Sequence, residues 1–157
     1  MSPIEQKLWD AMGECWGRID IVRLSTTQNM TFADLADWHA AIRKPEVHAL
    51  AVCAPQVLHD PYRVDFGFLS RGDVGLIRIS IECDGHDFHE RTKTQAMRDR
   101  TRDRALIADG IKAVRFTGSE IWRHPIECVL EISRIAASEM QRQTEISIFG
   151  REMAHAS

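Results

Sequence analysis

The chain has 157 residues, the length of one domain with a buried core, and 44% hydrophobic and 27% charged residues, which is a globular composition. That balance excludes a disordered chain, and no apolar run approaches the roughly 20 residues of a membrane span. The formal net charge of -3 leaves phosphate binding open, because a local basic patch can act within an acidic chain. The four cysteines are scattered and the first residues lack a signal-peptide pattern, so we expect reduced thiols in a cytoplasmic protein.

The amino-terminal part of the chain predicts two helices. A capping pattern at Ser2, Pro3 and Glu5 predicts a helix over residues 3–16. A similar start in "TFADLADWHAAIRK" predicts a second helix over residues 31–43.

Three strands are predicted next, by "VHALAVCAPQVL", "YRVDFGFL" and "LIRISIECD". An arginine-rich helix, a fourth strand "IKAVRFTG" and a last helix "HPIECVLEISRIAASEMQRQ" complete the order. This order predicts an α/β fold with a mixed central sheet flanked by helices. We expect a single domain over residues 1–145, with its core over about 47–135, and a flexible tail over 146–157.

The third predicted strand ends in two carboxylates. Side chains alternate along a strand, so Glu82 and Asp84 share one face and Cys83 turns to the apolar face. If "SRGDVG" closes a symmetric hairpin, Asp65 of the second strand lies opposite Ser80. Glu82 is then the diagonal neighbour of Asp65, about 7 Å away on the same face.

Three carboxylates on one sheet face repel one another unless a cation lies among them. Mg²⁺ or Mn²⁺ prefers oxygen ligands, so Asp65, Glu82 and Asp84 predict a divalent metal site. The alternative is that Glu82 and Asp84 only mark the point where the strand emerges into solvent.

A zinc site is a second alternative at the same place. Cys83, His86 and His89 have the right ligand types for zinc. Strand parity turns Cys83 toward the apolar face, where a buried free cysteine is the commoner outcome. We therefore favour magnesium over zinc.

The segment after these carboxylates is rich in arginine. On a helix, the spacing of Arg91, Gln95, Arg98 and Arg102 places them on one side, where they could hold a nucleic-acid backbone. The alternative is a solvated helix face with internal ion pairs.

Together, "YRVDFGF", "IECDGHDFH" and "QAMRDRTRDRALIADGIKAVRFTGSEIW" resemble the PD-(D/E)XK restriction-endonuclease superfamily. Within it, the chain is most similar to bacterial proteins related to very-short-patch-repair endonucleases. The resemblance covers about residues 55–130, and "SPIEQKLW" matches the first helix of such proteins. It implies an αβββαβ core and a metal-dependent phosphodiesterase site.

The resemblance also implies roles for individual residues. Asp65 and Glu82 fall on the two metal-binding acids, with the backbone carbonyl of Cys83 as a further ligand. Glu5 falls on the acid of the first helix, and Asp84 stands where the family usually has lysine. Other matching positions, to which we assign structural or phosphate-facing roles, are Gln56, Asp99, Arg102, Gly110 and Arg115.

The absent lysine bears on activity, because in the family that lysine orients or activates the attacking water. Lys93, or a neutral His86 or His89, is a candidate for the proton transfer instead. The sequence thus predicts a Mg²⁺-dependent endonuclease that acts on DNA, with RNA and a homodimer left open and no membrane partner expected. The rival hypothesis is an inactive nucleic-acid- or partner-binding module with the nuclease fold.

Overall fold

A mixed sheet of five strands organises the part of the chain that the computed structural model describes, residues 1–17, 21–25, 29–42, 50–85 and 93–155. The strands are β1 (Ile21–Arg23), β2 (Ala51–His59), β3 (Tyr62–Arg71), β4 (Leu76–Asp84) and β5 (Ile111–Thr117). The helices are α1 (Pro3–Trp16), α2 (Phe32–Ile42), α3 (Lys93–Ala108), α4 (Gly118–Arg123) and α5 (Pro125–His155).

The strands lie in the order β1-β2-β3-β4-β5. The two inner hairpins, β2 with β3 and β3 with β4, are antiparallel. The outer pairs, β1 with β2 and β4 with β5, are parallel. The connection from β4 to β5 runs through α3, as a parallel pair requires a crossover. The predicted α/β fold with a mixed sheet flanked by helices is confirmed at this level.

Two apolar layers cover the two faces of the sheet. The first core joins α1, α4 and α5 to one face, and its fully buried side chains include Leu8, Met12, Phe66, Ile79, Ile81, Ile121 and Ile132. The second core joins α2 and α3 to the other face through Leu35, Val52, Val57, Val64, Leu69 and Leu106. The second layer is the smaller one, and it is the layer next to the charged end of β4.

Both amino-terminal helices begin as the sequence predicts. The Ser2 side chain accepts a hydrogen bond from the backbone N–H of Glu5, and Pro3 is the first residue of α1. Thr31 and Asp34 bond reciprocally at the start of α2. These bonds satisfy N–H groups that have no partner inside the helix.

The register between β3 and β4 differs from the symmetric hairpin by two residues. Pairing runs from Arg71 with Leu76 to Phe66 with Ile81, so the loop consists of residues 72–75. Ser70 and Arg71 therefore belong to the strand rather than to the turn. A shift of two preserves the faces, so the predicted parity of β4 is confirmed although the predicted pairing of Asp65 with Ser80 is wrong.

Alternation along "YRVDFGFL" predicts one apolar face formed by Val64, Phe66 and Phe68, and the structure corrects this prediction at one residue. Phe66 and Phe68 lie in the first core, whereas Val64 lies in the second. Pairing of β2 with β3 passes from Pro55–Phe66 directly to Val57–Val64, and the residue left out of β2, Gln56, has φ +54°. The ladder skips one residue of each strand, Gln56 and Asp65, and the alternation of side chains changes phase at that break.

The last helix is longer than the sequence predicts. Residues 146–155, expected to form a tail, continue α5 as far as His155. Two short elements were not predicted, β1 between the two amino-terminal helices and α4 after β5. Among the described helices, none has the length and apolar character needed to cross a membrane.

Candidate active site

Alternation along β4 delivers two carboxylates to the α3 side of the sheet. Ile77, Ile79 and Ile81 occupy the first core, so Glu82 and Asp84 fall on the opposite face. The Glu82 residue is 4% exposed, which is unusual for a glutamate and calls for compensating partners.

Asp65 joins these carboxylates from the neighbouring strand. Pairing of β3 with β4 extends to Phe66 and Ile81, so the next positions along the two strands are Asp65 and Glu82. Asp65 Oδ2 accepts a hydrogen bond from the backbone N–H of Cys83 at 2.7 Å. That bond anchors the Asp65 carboxylate to the end of β4, beside Glu82.

The left-handed residue of β2 adds a second anchored pair. Gln56 Nε2 donates to Glu5 Oε2 at 3.1 Å, across 51 positions of sequence. Glu5 also accepts a bond from Ser2 Oγ at 2.8 Å, so the helix cap fixes its other oxygen. The electrostatic effect of Glu5 reaches Asp65, whose pKa it raises. Acids from α1, β3 and β4 therefore meet at one end of the sheet.

Arginines lie beside the two acids of β4. Arg102 of α3 places Nη1 3.4 Å from Glu82 Oε2. Arg115 of β5 places Nη1 3.5 Å from Asp84 Oδ1 and also hydrogen-bonds Asp103. Both arginines are partly buried, so these contacts are less screened than surface ion pairs.

Burial dominates the electrostatics of the site. Burial raises the pKa of Glu82 to about 7. The positive charge of Arg102 opposes this shift, and the negative charge of Asp65 adds to it. Burial also raises the pKa of Asp65, with the Cys83 N–H bond opposing it. Two acids whose ionised forms are disfavoured in the same place form a site that a positive ligand would stabilise.

The donor set fits a hard divalent cation. Asp65 and Glu82 offer only oxygen atoms, the ligands that Mg²⁺ and Mn²⁺ prefer. Glu82 Oε1 is buried and has no hydrogen-bond partner among the described residues, and such an acceptor is costly unless something positive satisfies it. Within the same residues, no three His, Cys, Asp or Glu side chains are grouped tightly enough to hold a metal ion by themselves. A cation there would complete its coordination with water or substrate oxygens, as Mg²⁺ commonly does.

The thiol of Cys83 packs against the first core, as strand parity predicts. Burial raises the pKa of this thiol, with a further raising effect of Asp65. The two histidines of the zinc alternative, His86 and His89, lie outside the described residues.

The predicted basic stripe is described only in part. Arg91 lies outside the described residues, and Lys93 and Gln95 are placed as backbone of α3. Arg98 is exposed on α3, whereas Arg102 contacts Glu82. The two arginines therefore differ in environment although they share a helix face.

Sequence reasoning missed the contribution of two residues. Asp103 bridges to Arg115, and the parity of β5 could have indicated this, because Arg115 shares the α3 side with Ile111 and Ala113. Tyr62, at the start of β3, lines a cavity beside Arg102. No pattern in the sequence marks Tyr62, because its position beside α3 brings together segments that are distant in the sequence.

No family model matches the chain, and neither a curated protein nor a solved structure matches it.

Proposed function

We propose that this protein is a metal-dependent nuclease that hydrolyses phosphodiester bonds, with DNA as its substrate and a fold of the PD-(D/E)XK restriction-endonuclease type. One observation carries the proposal: Glu82 is a buried carboxylate whose Oε1 has no hydrogen-bond partner among the described residues, next to a second, half-buried carboxylate, Asp65. The element order α1, β2, β3, β4, α3, β5 agrees with the αβββαβ core that the resemblance implies.

In this proposal Asp65 and Glu82 hold the cation, with Asp84 beside them. When bound, a divalent cation supplies a water of lowered pKa and polarises the scissile phosphate. The Cys83 N–H bond keeps the Asp65 carboxylate in place. Arg102, which lies beside Glu82, would donate to a phosphate oxygen, and Arg98 is exposed on the same helix for a further contact with the nucleic-acid backbone.

The proton-transfer group in this proposal is Lys93, His86 or His89. Asp84 occupies the motif position where the family usually has lysine, and Arg115 lies beside it. A neutral histidine near its ordinary pKa of about 6.5 could accept a proton from water at neutral pH.

The second candidate function is a non-catalytic module that binds nucleic acid or another partner. The contact of Arg102 with Glu82 favours it, because the arginine already compensates the carboxylate that the cation would need. The two candidates differ in their response to metal. A module binds DNA without cutting it and is unaffected by EDTA, whereas a nuclease cuts in Mg²⁺ or Mn²⁺ and is stopped by EDTA.

The direct test is cleavage of supercoiled plasmid by Asp65→Asn. This change keeps the size of the side chain and removes its negative charge. We expect cleavage in Mg²⁺ to fall at least about a hundredfold, since metal-supplied charge stabilisation is worth several kcal/mol. Circular dichroism and thermal unfolding would show whether the fold is retained.

Asp73→Asn is the matched control, because Asp73 is an exposed acid in the turn between β3 and β4. It should cut like the wild type. Wild-type cleavage by a folded Asp65→Asn would exclude the assigned site, and absence of any metal-dependent cleavage by the wild type would favour the binding module.

A further inference from the structure

A cavity of about 470 Å³ opens between the start of β3 and the middle of α3. Its lining consists of Tyr62, Met97, Arg98, Asp99, Thr101 and Arg102. Sites for small organic molecules commonly span about 300–1,000 Å³, so this space suits a group of nucleobase size better than a single ion.

The cavity adjoins the candidate active site. Arg102 lines it and also places Nη1 3.4 Å from Glu82 Oε2. Tyr62 precedes Asp65 by three positions on β3, which is at most roughly 10 Å along a strand. A nucleotide whose phosphate lies at Asp65 and Glu82 would therefore have its base within reach of the cavity.

The chemistry of the lining suits a flat aromatic ligand. Tyr62, the one tyrosine of the chain, is half-buried, and it lines the cavity together with Arg98 and Arg102. Aromatic rings and guanidinium planes stack on nucleobases of any sequence. Met97 adds a polarisable thioether at the exposed rim, where its side chain is 64% exposed.

We propose that this cavity binds one unpaired nucleobase of the DNA strand that is cut. The proposal rests on the nuclease function proposed above and names its substrate class. A base in a perfect duplex is paired and stacked, so it must be extruded before it can enter such a cavity. The protein should therefore prefer single-stranded, mismatched or frayed DNA to a perfect duplex.

Binding in EDTA tests the proposal without any contribution from metal or cleavage. Fluorescence anisotropy would compare a short oligothymidylate, an abasic strand of the same length and a perfect duplex. The first two carry the same backbone charge and differ only in their bases. We expect the oligothymidylate to bind about tenfold more tightly than the abasic strand, and more tightly than the duplex.

Variants of Tyr62 show whether the cavity causes the difference. Tyr62→Ala should reduce the preference for the oligothymidylate over the abasic strand to near one, and Tyr62→Phe, which keeps the ring, should preserve it. Met97→Glu places a negative charge at the rim on an exposed helix position and should also weaken oligothymidylate binding. Trp38→Ala, which removes a half-exposed aromatic ring of α2 outside this cavity, should leave the preference intact.

Equal binding of the oligothymidylate and the abasic strand by the wild type would overturn the proposal. So would a full preference retained by both Tyr62→Ala and Met97→Glu. The function and the subsite can fail separately. Base-dependent binding without cleavage in Mg²⁺ would support the nucleobase cavity and exclude the nuclease function. If Asp65→Asn abolishes cleavage and binding does not depend on the bases, the nuclease function is supported and the nucleobase cavity is excluded.

Discussion

Over the nine residues of β4, the side chains facing α1 and α5 are apolar, and those facing α3 are polar or charged at every position after Leu76. Ile77, Ile79 and Ile81 fill the first core. Ser80 and Glu82 on the other face are equally buried, yet both carry a polar atom without a partner among the described residues. One face of the strand thus stabilises the fold. The other face carries polar atoms that a ligand could bind.

The largest expected effect is on cleavage activity, and it comes from replacing Glu82 on the polar face of β4. Glu82→Gln should lower plasmid cleavage in Mg²⁺ at least about a hundredfold, because an amide cannot replace an anionic metal ligand. The same change should raise the free energy of unfolding at pH 8 by about 1–3 kcal/mol, because the buried carboxylate no longer has to ionise. Urea unfolding in EDTA measures this gain.

A loss of both cleavage and stability in Glu82→Gln would contradict this division of labour. It would indicate that the ion pair of Glu82 with Arg102 stabilises the fold more than the burial of the charge destabilises it.

The apolar face should show the opposite response. Ile79→Ala removes a fully buried side chain from the first core and should lower the free energy of unfolding by about 2–5 kcal/mol. DNA binding per folded molecule should change little, since Ile79 faces away from the candidate site. A chemical unfolding curve and a titration at the same temperature check both statements.

The pH dependence of stability gives a third contrast. The pKa of Glu82 is raised from 4.5 to about 7 in the folded protein. The protonated side chain therefore contributes its full share to the free energy of unfolding below pH 4.5, and this share is lost as the pH rises to about 7. In EDTA the wild type should therefore lose up to about 3 kcal/mol relative to Glu82→Gln between these limits.

The difference between the two proteins cancels the contributions of acids remote from Glu82 and reports Glu82 together with its coupling to Asp65. Asp34, Glu120 and Glu139 have lowered pKa values, which favour stability at higher pH, and they are present in both proteins. Parallel stability curves for the two proteins between pH 4.5 and 7 would show that Glu82 ionises normally in the fold.

The smallest expected effect is at Ser80. Its hydroxyl is buried without a partner in the described part of the chain, so Ser80→Ala should be neutral or stabilise by less than about 1 kcal/mol. Next to the large loss expected at Ile79, this comparison of adjacent residues checks the assignment of the two faces. Thermal unfolding of both variants in one buffer is sufficient.

Local patterns in the sequence predicted the helix starts and the faces of β4. Ser2 and Thr31 cap helices through bonds to residues three positions away, so the sequence alone specifies them. The run of Ile77, Ile79 and Ile81 likewise defines its own buried face.

The features that sequence reasoning missed depend on contacts between distant segments. The loop of residues 72–75 is closed by a bond from Gly72 N–H to the Gly75 carbonyl, and nothing in "SRGDVG" decides which residues form that loop. The left-handed backbone at Gln56 has no residue-type signal, because glycine is the usual occupant of that conformation. Pro55 was a usable warning, since proline inside a strand often marks an irregularity.

The left-handed backbone of Gln56 predicts which residue a selection for thermal stability would favour at this position. A non-glycine residue in the left-handed region costs on the order of 1–2 kcal/mol, and glycine would relieve that strain while removing the amide that holds Glu5. Selection of this protein for heat resistance alone would therefore enrich glycine at position 56. If the selected variants unfold at higher temperature and do not cut DNA, the left-handed backbone at Gln56 is a cost in stability that keeps Glu5 in position for activity.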